Sequence, residues 1–257
     1  MDNNNFSEKL YGVTLWRIRE LKNIEFKLQD ILNSEDSISK SFFLRASIAL
    51  IYAHWEGAIK DIFRVYLEFI RTLLINNNYI IKKETLFILE LILYRHIDNN
   101  ELKNIICDVK TCNKLLNKDL ISIDVYKENI IDSISLIKNN KNIEKAKEIE
   151  FFLNQDGNCK IIDNVVNTES NLGFEILEKI FNTFNIIMSD DIKIEQIHID
   201  QLLRDRNNIA HGDNKFFYDE NKDKISKDIK EVIKKLNKII YLIENIKNLV
   251  EEHKRRL

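Results

Sequence analysis

The chain has 257 residues, 44% hydrophobic and 31% charged, with a formal net charge of −2. That is ample apolar content for a sizeable core. With no proline and five glycines it lacks the turn-formers that sandwiches and barrels consume, which excludes an all-β fold and predicts long helices with short connections.

Residues 6–32 carry Leu10, Val13, Leu15, Ile18, Leu21, Ile24, Leu28 and Ile31 at helical spacing. Asn33-Ser34-Glu35-Asp36 breaks the pattern with good N-cap chemistry, and one long helix is predicted from about Ser37 to Leu74. On it, Glu56, Lys60, Arg64 and Glu68 lie four apart and read as a charged surface ladder. Ser47, His54 and Asp61 form a second line, with Gly57 beside it. A mid-helix glycine costs about 1 kcal/mol against alanine, so Gly57 is expected to mark close approach of another backbone. His54 reads as a hydrogen-bonded, half-buried ring.

Asn76-Asn77-Asn78 is a predicted loop, and residues 83–96 a helix ending in Arg95 and His96, with His96 solvated or complementing the helix dipole. Residues 97–120 are polar and poorly periodic. Helices are predicted for Ile121–Ile137 and Ile143–Phe152, separated by the turn Asn139-Asn140-Lys141-Asn142, and Asp156-Gly157-Asn158 is a turn. The whole chain, 1–257, reads as one helical domain whose middle, about 97–165, is an inserted or capping helical subdomain. Lys160 to Val166 suits a short strand or extended segment. Ser170 begins a helix through Leu177, Ile180 and Phe184; residues 190–195 connect; a helix from about Ile197 carries Leu202, Leu203, Arg204 and Arg206. Phe216-Phe217-Tyr218 sit in a polar loop, packing it onto the core or stacking on bases of single-stranded RNA. A closing helix runs from Ile225 through Ile229, Leu236, Ile239, Ile243 and Leu249.

Residues 221–257 hold eleven Lys/Arg against six Asp/Glu, a local positive surplus that suits either nucleic acid or a solvated helix face. Cys107, Cys112 and Cys159 form no metal-ligand pattern, and their odd number points to a reducing cytoplasm. His54, His96, His198, His211 and His253 show no i, i+4 ligand pairing and there is no glycine-rich phosphate loop, so no metal and no cofactor are expected. The N-terminus reads as no export signal and no apolar run approaches the roughly 20 residues of a membrane span.

The stretch Arg206-Asn207-Asn208-Ile209-Ala210-His211-Gly212 crowds together polar groups with no hydrophobic rationale. On a continuous helix Arg206 and His211 would lie about 140° apart, whereas Asn207 and His211 share a face. Gly212 suits a helix stop with positive φ, ending the helix around Ala210-His211 and letting the imidazole swing toward the guanidinium. A titratable ring, a permanent cation and an amide together suit a phosphate diester. His211 is the candidate general acid or base, Arg206 the phosphate binder that stabilises transition-state charge, and Asn207 the orienting amide. The structural alternative is an Arg and Asn closing a helix end with His211 bonded to a backbone carbonyl.

Arg206, Asn207 and His211 resemble the signature of the HEPN superfamily: an arginine, a polar residue, a short spacer and a histidine. The run Ala49-Leu50-Ile51-Tyr52-Ala53-His54-Trp55-Glu56-Gly57-Ala58-Ile59-Lys60, and Ser170-Asn171-Leu172 ahead of Phe174, resemble a large prokaryotic HEPN-like nuclease branch. The resemblance implies a HEPN-like helical bundle and a metal-independent endoribonuclease that uses the RNA 2′-OH as nucleophile. It also implies Glu56 as a supporting acidic residue, a homodimer with a composite active site, and a toxin or anti-phage role held by an antitoxin or other regulatory protein. The alternatives are a HEPN-type module that binds RNA or a nucleotide without turnover, and a helical protein-interaction scaffold.

Overall fold

The structure, a computed structural model, describes residues 3–76, 81–96, 120–121, 128, 130, 140–154, 160–168, 170–212 and 222–257. Helix α1 (Asn3–Leu32) is followed by α2 (Ser37–Asn76), the two-residue strand β1 (Ile81–Lys82) and α3 (Lys83–His96). Then come strand β2 (Leu120–Ile121), α4 (Asn140–Asn154), α5 (Lys160–Val165), α6 (Phe174–Thr183), α7 (Asp190–Ile194), α8 (Gln196–Ala210) and α9 (Lys222–Lys254). β1 and β2 pair antiparallel, Ile81 opposite Ile121. The fold is all-α in character, with long helices, as composition predicts.

Three long helices make the scaffold. Lys9 pairs with Glu68 at 3.6 Å and Arg17 with Asp61 at 2.6 Å, so α1 and α2 run antiparallel. Ser7 bonds Glu251 and Glu25 bonds Asn237, so α1 and α9 are antiparallel too. Lys40 lies by Ser226 and Tyr66 by His253, which leaves α2 and α9 parallel. On α1 the buried residues Phe6, Leu10, Leu21 and Leu28 recur at three-to-four-residue multiples and form the apolar stripe that drives the helix onto its partners. Thr14 sits within that stripe because its hydroxyl donates to the Leu10 carbonyl at 2.9 Å. α2 is the central helix: in its second half Ala58, Ile59, Ile62, Phe63, Tyr66, Leu67 and Ile70 are all without solvent contact, the mark of a helix packed on more than one side. Its start follows the expected N-cap chemistry, with Asp36 Oδ1 accepting from the backbone N–H groups of Ile38 and Ser39.

The shorter helices differ from the sequence expectations in several places. Lys160–Val165 is helical rather than extended; Ile161 and Val165, one turn apart, are both buried, and a short apolar run has no periodicity that separates this from a strand. Asn140–Asn142 open α4 instead of forming a turn, and Ile121 lies in β2 rather than in a helix. Residues 190–194 form α7, with Asp190 and Asp191 in the first turn where the helix dipole favours them and Ile192 buried beneath. α6 begins at Phe174, not Ser170, which adopts φ +56°. His96 is not solvated: it is 3% exposed, held by Glu148 of α4 at 3.0 Å and by Asn164 at 3.3 Å. Arg71 of α2 donates to the carbonyls of Phe151 and Phe152 near the end of α4, groups that an ending helix leaves unpaired. Ile149, Phe152, Ile161 and Val165 join the same apolar core as α1, α2 and α9.

Most of the 97–120 segment, most of the predicted helix 121–137, the Asp156–Asn158 turn, the three cysteines and Phe216–Tyr218 lie outside the described residues. No helix among the described residues is long and apolar enough to cross a membrane.

Candidate functional site

The end of α8 has the form its sequence predicts. Ala210 is the last helical residue and His211 caps it, its N–H donating to the Asn207 carbonyl at 2.9 Å. Gly212 follows at φ +76°, in the left-handed region that a Cβ disfavours. The four-residue bond keeps Asn207 and His211 one turn apart on one face. His211 is exposed.

Arg206 is half-buried. Its Nη1 donates to Asn207 Oδ1 at 2.7 Å, and its guanidinium carbon lies 4.8 Å from the centroid of the Tyr52 ring, over the face. A cation there is attracted by the ring's negative π-face. With Oδ1 accepting from Arg206, Asn207 offers its NH₂ as a donor. The neighbouring Asp205 is 1% exposed and takes Lys235 of α9 at 2.8 Å, which fixes this turn of α8 against α9.

Tyr52 belongs to α2 and is 2% exposed. Its hydroxyl accepts from the Leu172 N–H at 2.6 Å and donates toward the Ser170 carbonyl at 3.4 Å. Burial first, and then the charge of Glu56, push its hydroxyl pKa up to about 12, with Arg206 pulling the other way; the group stays a neutral O–H near neutrality. Glu56, one turn on, accepts from Lys60 at 3.0 Å and from the Thr168 hydroxyl. Trp55 donates its indole N–H to the Leu172 carbonyl at 3.4 Å. The α2 face 52–56 thus holds Thr168 and the 170–172 turn on one side and meets the end of α8 on the other.

Of the four residues singled out from sequence, Arg206 and Asn207 are in direct contact and Glu56 shares Tyr52 with Arg206. His211 stands at the exposed helix end, and among the described residues no hydrogen bond joins its ring to Arg206. Within the charged ladder on α2, Glu56 pairs with Lys60, and Glu68 reaches across to Lys9. The His54 line belongs to the α1–α2 contact. His54 meets Trp16 edge-on at 5.6 Å, and its buried Nδ1 makes no hydrogen bond among the described residues. Burial, and then the Arg17 charge, hold its pKa below the usual histidine value. Gly57 makes room for the Arg17 guanidinium, which a Cβ would meet at 2.2 Å; the close approach is a side chain bound to Asp61, not a backbone.

Sequence reasoning missed Tyr52 and Thr168. Tyr52 carries a local signal only in retrospect, as the residue one turn before Glu56; its link to Arg206 is tertiary. Among the described residues no group of His, Cys, Asp and Glu side chains gathers as a metal site.

A HEPN family model matches residues 6–255, nearly the whole chain. No curated protein and no solved structure matches.

Proposed function

Since the chain belongs to the HEPN superfamily, we propose that it is a metal-independent endoribonuclease whose site is the end of α8. The observation that carries this reading is a preorganised cation near the end of α8 followed, at that end, by an exposed histidine. Arg206 is set by Tyr52 and Asn207, and His211 stands one position beyond the helix end. Arg206 binds the scissile phosphate and stabilises the charge that builds on its oxygens. His211 moves a proton, and Asn207 orients the phosphate through its NH₂. The 2′-oxygen forms a bond to phosphorus as it loses its proton, the bond to the 5′-oxygen breaks, and that oxygen takes up a proton. The products are a 2′,3′-cyclic phosphate and a 5′-hydroxyl; DNA, without the 2′-OH, is inert by this route.

One histidine serves as base or as acid, not both at once. A homodimer with a composite cleft supplies the second, and this is the assembly proposed. Ile38 and Phe42, one turn apart on α2, are 67% and 60% exposed and support an apolar contact surface. Glu56 is a supporting residue, and the biological setting proposed is a cytoplasmic toxin or anti-phage effector restrained by an antitoxin or regulatory protein.

The test is cleavage of a mixed RNA pool in EDTA by the purified chain and by His211→Ala, reading the product ends. Cyclic-phosphate ends that vanish in the variant support the mechanism. A folded chain that binds RNA with salt-dependent affinity and yields no products is instead a binding module, and one that does neither is a protein scaffold.

A further inference from the structure

A guanidinium that stabilises a transition state must be in place before the charge develops, because reorganising it during the reaction consumes the benefit. Arg206 stands on the last full turn of α8, beside a glycine-terminated end, and its side chain is long. Neither Glu56 nor any other carboxylate pairs with it among the described residues. What fixes it are the Asn207 side-chain oxygen Oδ1 at 2.7 Å and the face of Tyr52 at 4.8 Å. The amide fixes one nitrogen; the ring fixes where the guanidinium sits.

We infer that Tyr52 is a positioning residue for Arg206: its ring is the platform for the guanidinium, and its hydroxyl locks that platform to the Ser170–Leu172 turn. This rests on the ribonuclease reading above and extends it to a residue that is too buried to touch RNA. The platform is anchored at both ends of the tyrosine. On the hydroxyl side Leu172 donates its N–H at 2.6 Å, and the turn is held in register by Ser170 in the left-handed region and by Trp55 bonding the Leu172 carbonyl. At its backbone end the tyrosine is part of α2. Glu56 is engaged by Lys60 and Thr168, so its contribution reaches Arg206 through Tyr52 and this turn and not by contact with phosphate.

An ordinary core tyrosine would contribute to folding only, and the experiment separates the two roles. Position 52 is occupied in turn by Tyr, by Phe (Tyr52→Phe), and by phenylalanines carrying two and three ring fluorines. The fluorines drain the ring's negative face and leave its shape nearly unchanged. Cleavage of a defined RNA oligonucleotide is followed with kcat and KM separated. Tyr52→Phe, which keeps the ring and loses the hydroxyl lock, recovers part but not all of the activity lost in Tyr52→Leu. From Phe to trifluoro-Phe kcat falls stepwise, by about 10-fold in all, with KM little moved and the melting temperature constant. In an Arg206→Ala background the same series is flat, because a residue that acts through Arg206 adds nothing once Arg206 is gone. A flat series in an active wild-type background, or equal losses with and without Arg206, overturns the inference and leaves the ribonuclease reading standing. If the wild-type chain cleaves nothing, the ribonuclease reading falls, and the series is read on the affinity for a 2′-O-methyl RNA oligonucleotide. A graded loss there still supports Tyr52 as the Arg206 platform; a flat series or no binding overturns it.

Discussion

Arg206 is oriented by an amide and an aromatic ring, and among the described residues no carboxylate pairs with it. That choice matters chemically, because a carboxylate partner would compete with an incoming phosphate for the same N–H groups, whereas a ring face leaves them available. Lysine cannot reproduce the arrangement: it keeps the charge but has no planar fork and no plane to lay on Tyr52. Arg206→Lys is therefore expected to lower cleavage by roughly 10²-fold while leaving RNA affinity within a few-fold. Initial rates and filter-binding on the same preparation check this; full activity in Arg206→Lys would mean that charge alone suffices and that the fork geometry has no catalytic role. At this scale the candidate site was half legible in the sequence. Arg206, Asn207, His211 and Gly212 are neighbours along the chain, so their spacing and the glycine stop reveal them together. Tyr52 lies far away in sequence, and its neighbourhood reads as ordinary helix; only packing brings its ring under the guanidinium.

The turn that bears the motif is held by its element, not by its own residues. Asp205, adjacent to Arg206, is a buried carboxylate that pairs with Lys235 of α9 at 2.8 Å, itself largely covered. Asp200, further up α8, accepts the Phe174 N–H at 2.8 Å and so caps α6. α8 is thereby tied to α9 at one end and to α6 at the other. Removing Lys235 takes a partner cation from a buried carboxylate, a loss larger than a surface ion pair is worth. Lys235→Met is expected to destabilise the chain by about 3 kcal/mol, with part of the loss recovered when Asp205→Leu is added. Urea unfolding of the three variants measures this, and a loss below about 0.5 kcal/mol would place the pair among weak surface contacts. The same tertiary dependence explains which elements sequence reasoning found. α1, α2 and α9 are long enough for the 3.6-residue period to declare itself, and Leu10, Leu21, Leu28 and Leu236 do so. α5 and α7, six and five residues long, have no room for a period. Their form is decided by the surfaces they cover. The burial of His96 is invisible along the chain for the same reason: its partners Glu148 and Asn164 arrive from α4 and α5.

The scaffold of α1, α2 and α9 closes over the buried His253, and this sets a pH dependence for the whole molecule. His253 is 8% exposed, and its Nδ1 lies 2.6 Å from the Tyr66 hydroxyl. Burial pushes the Tyr66 pKa far up, so that hydroxyl remains a donor and His253 Nδ1 accepts from it. Protonation would remove the acceptor and place a cation under cover beside Arg256. Burial first, and the Arg256 charge second, hold the His253 pKa below its ordinary 6.5, against an opposing bond to the Asn185 backbone. His54, at the α1–α2 contact, is shifted the same way by burial and by Arg17. The unfolded chain takes up these protons near pH 6.5 and the folded chain only below it, so more protons bind the unfolded state in between. Stability is then fully present above pH 6.5 and is lost as the pH falls through the depressed folded values. Carboxylates titrate near pH 4, which leaves the interval from about 6.5 to 5 to the histidines. Thermal melts at pH 7.5 and 5.5 are expected to show a lower melting temperature at pH 5.5. The difference should shrink in His253→Gln and shrink further with His54→Gln added. Equal melting temperatures for the wild type at the two pH values would mean that neither ring is kept neutral by folding, and that the α2–α9 closure tolerates a charge at His253.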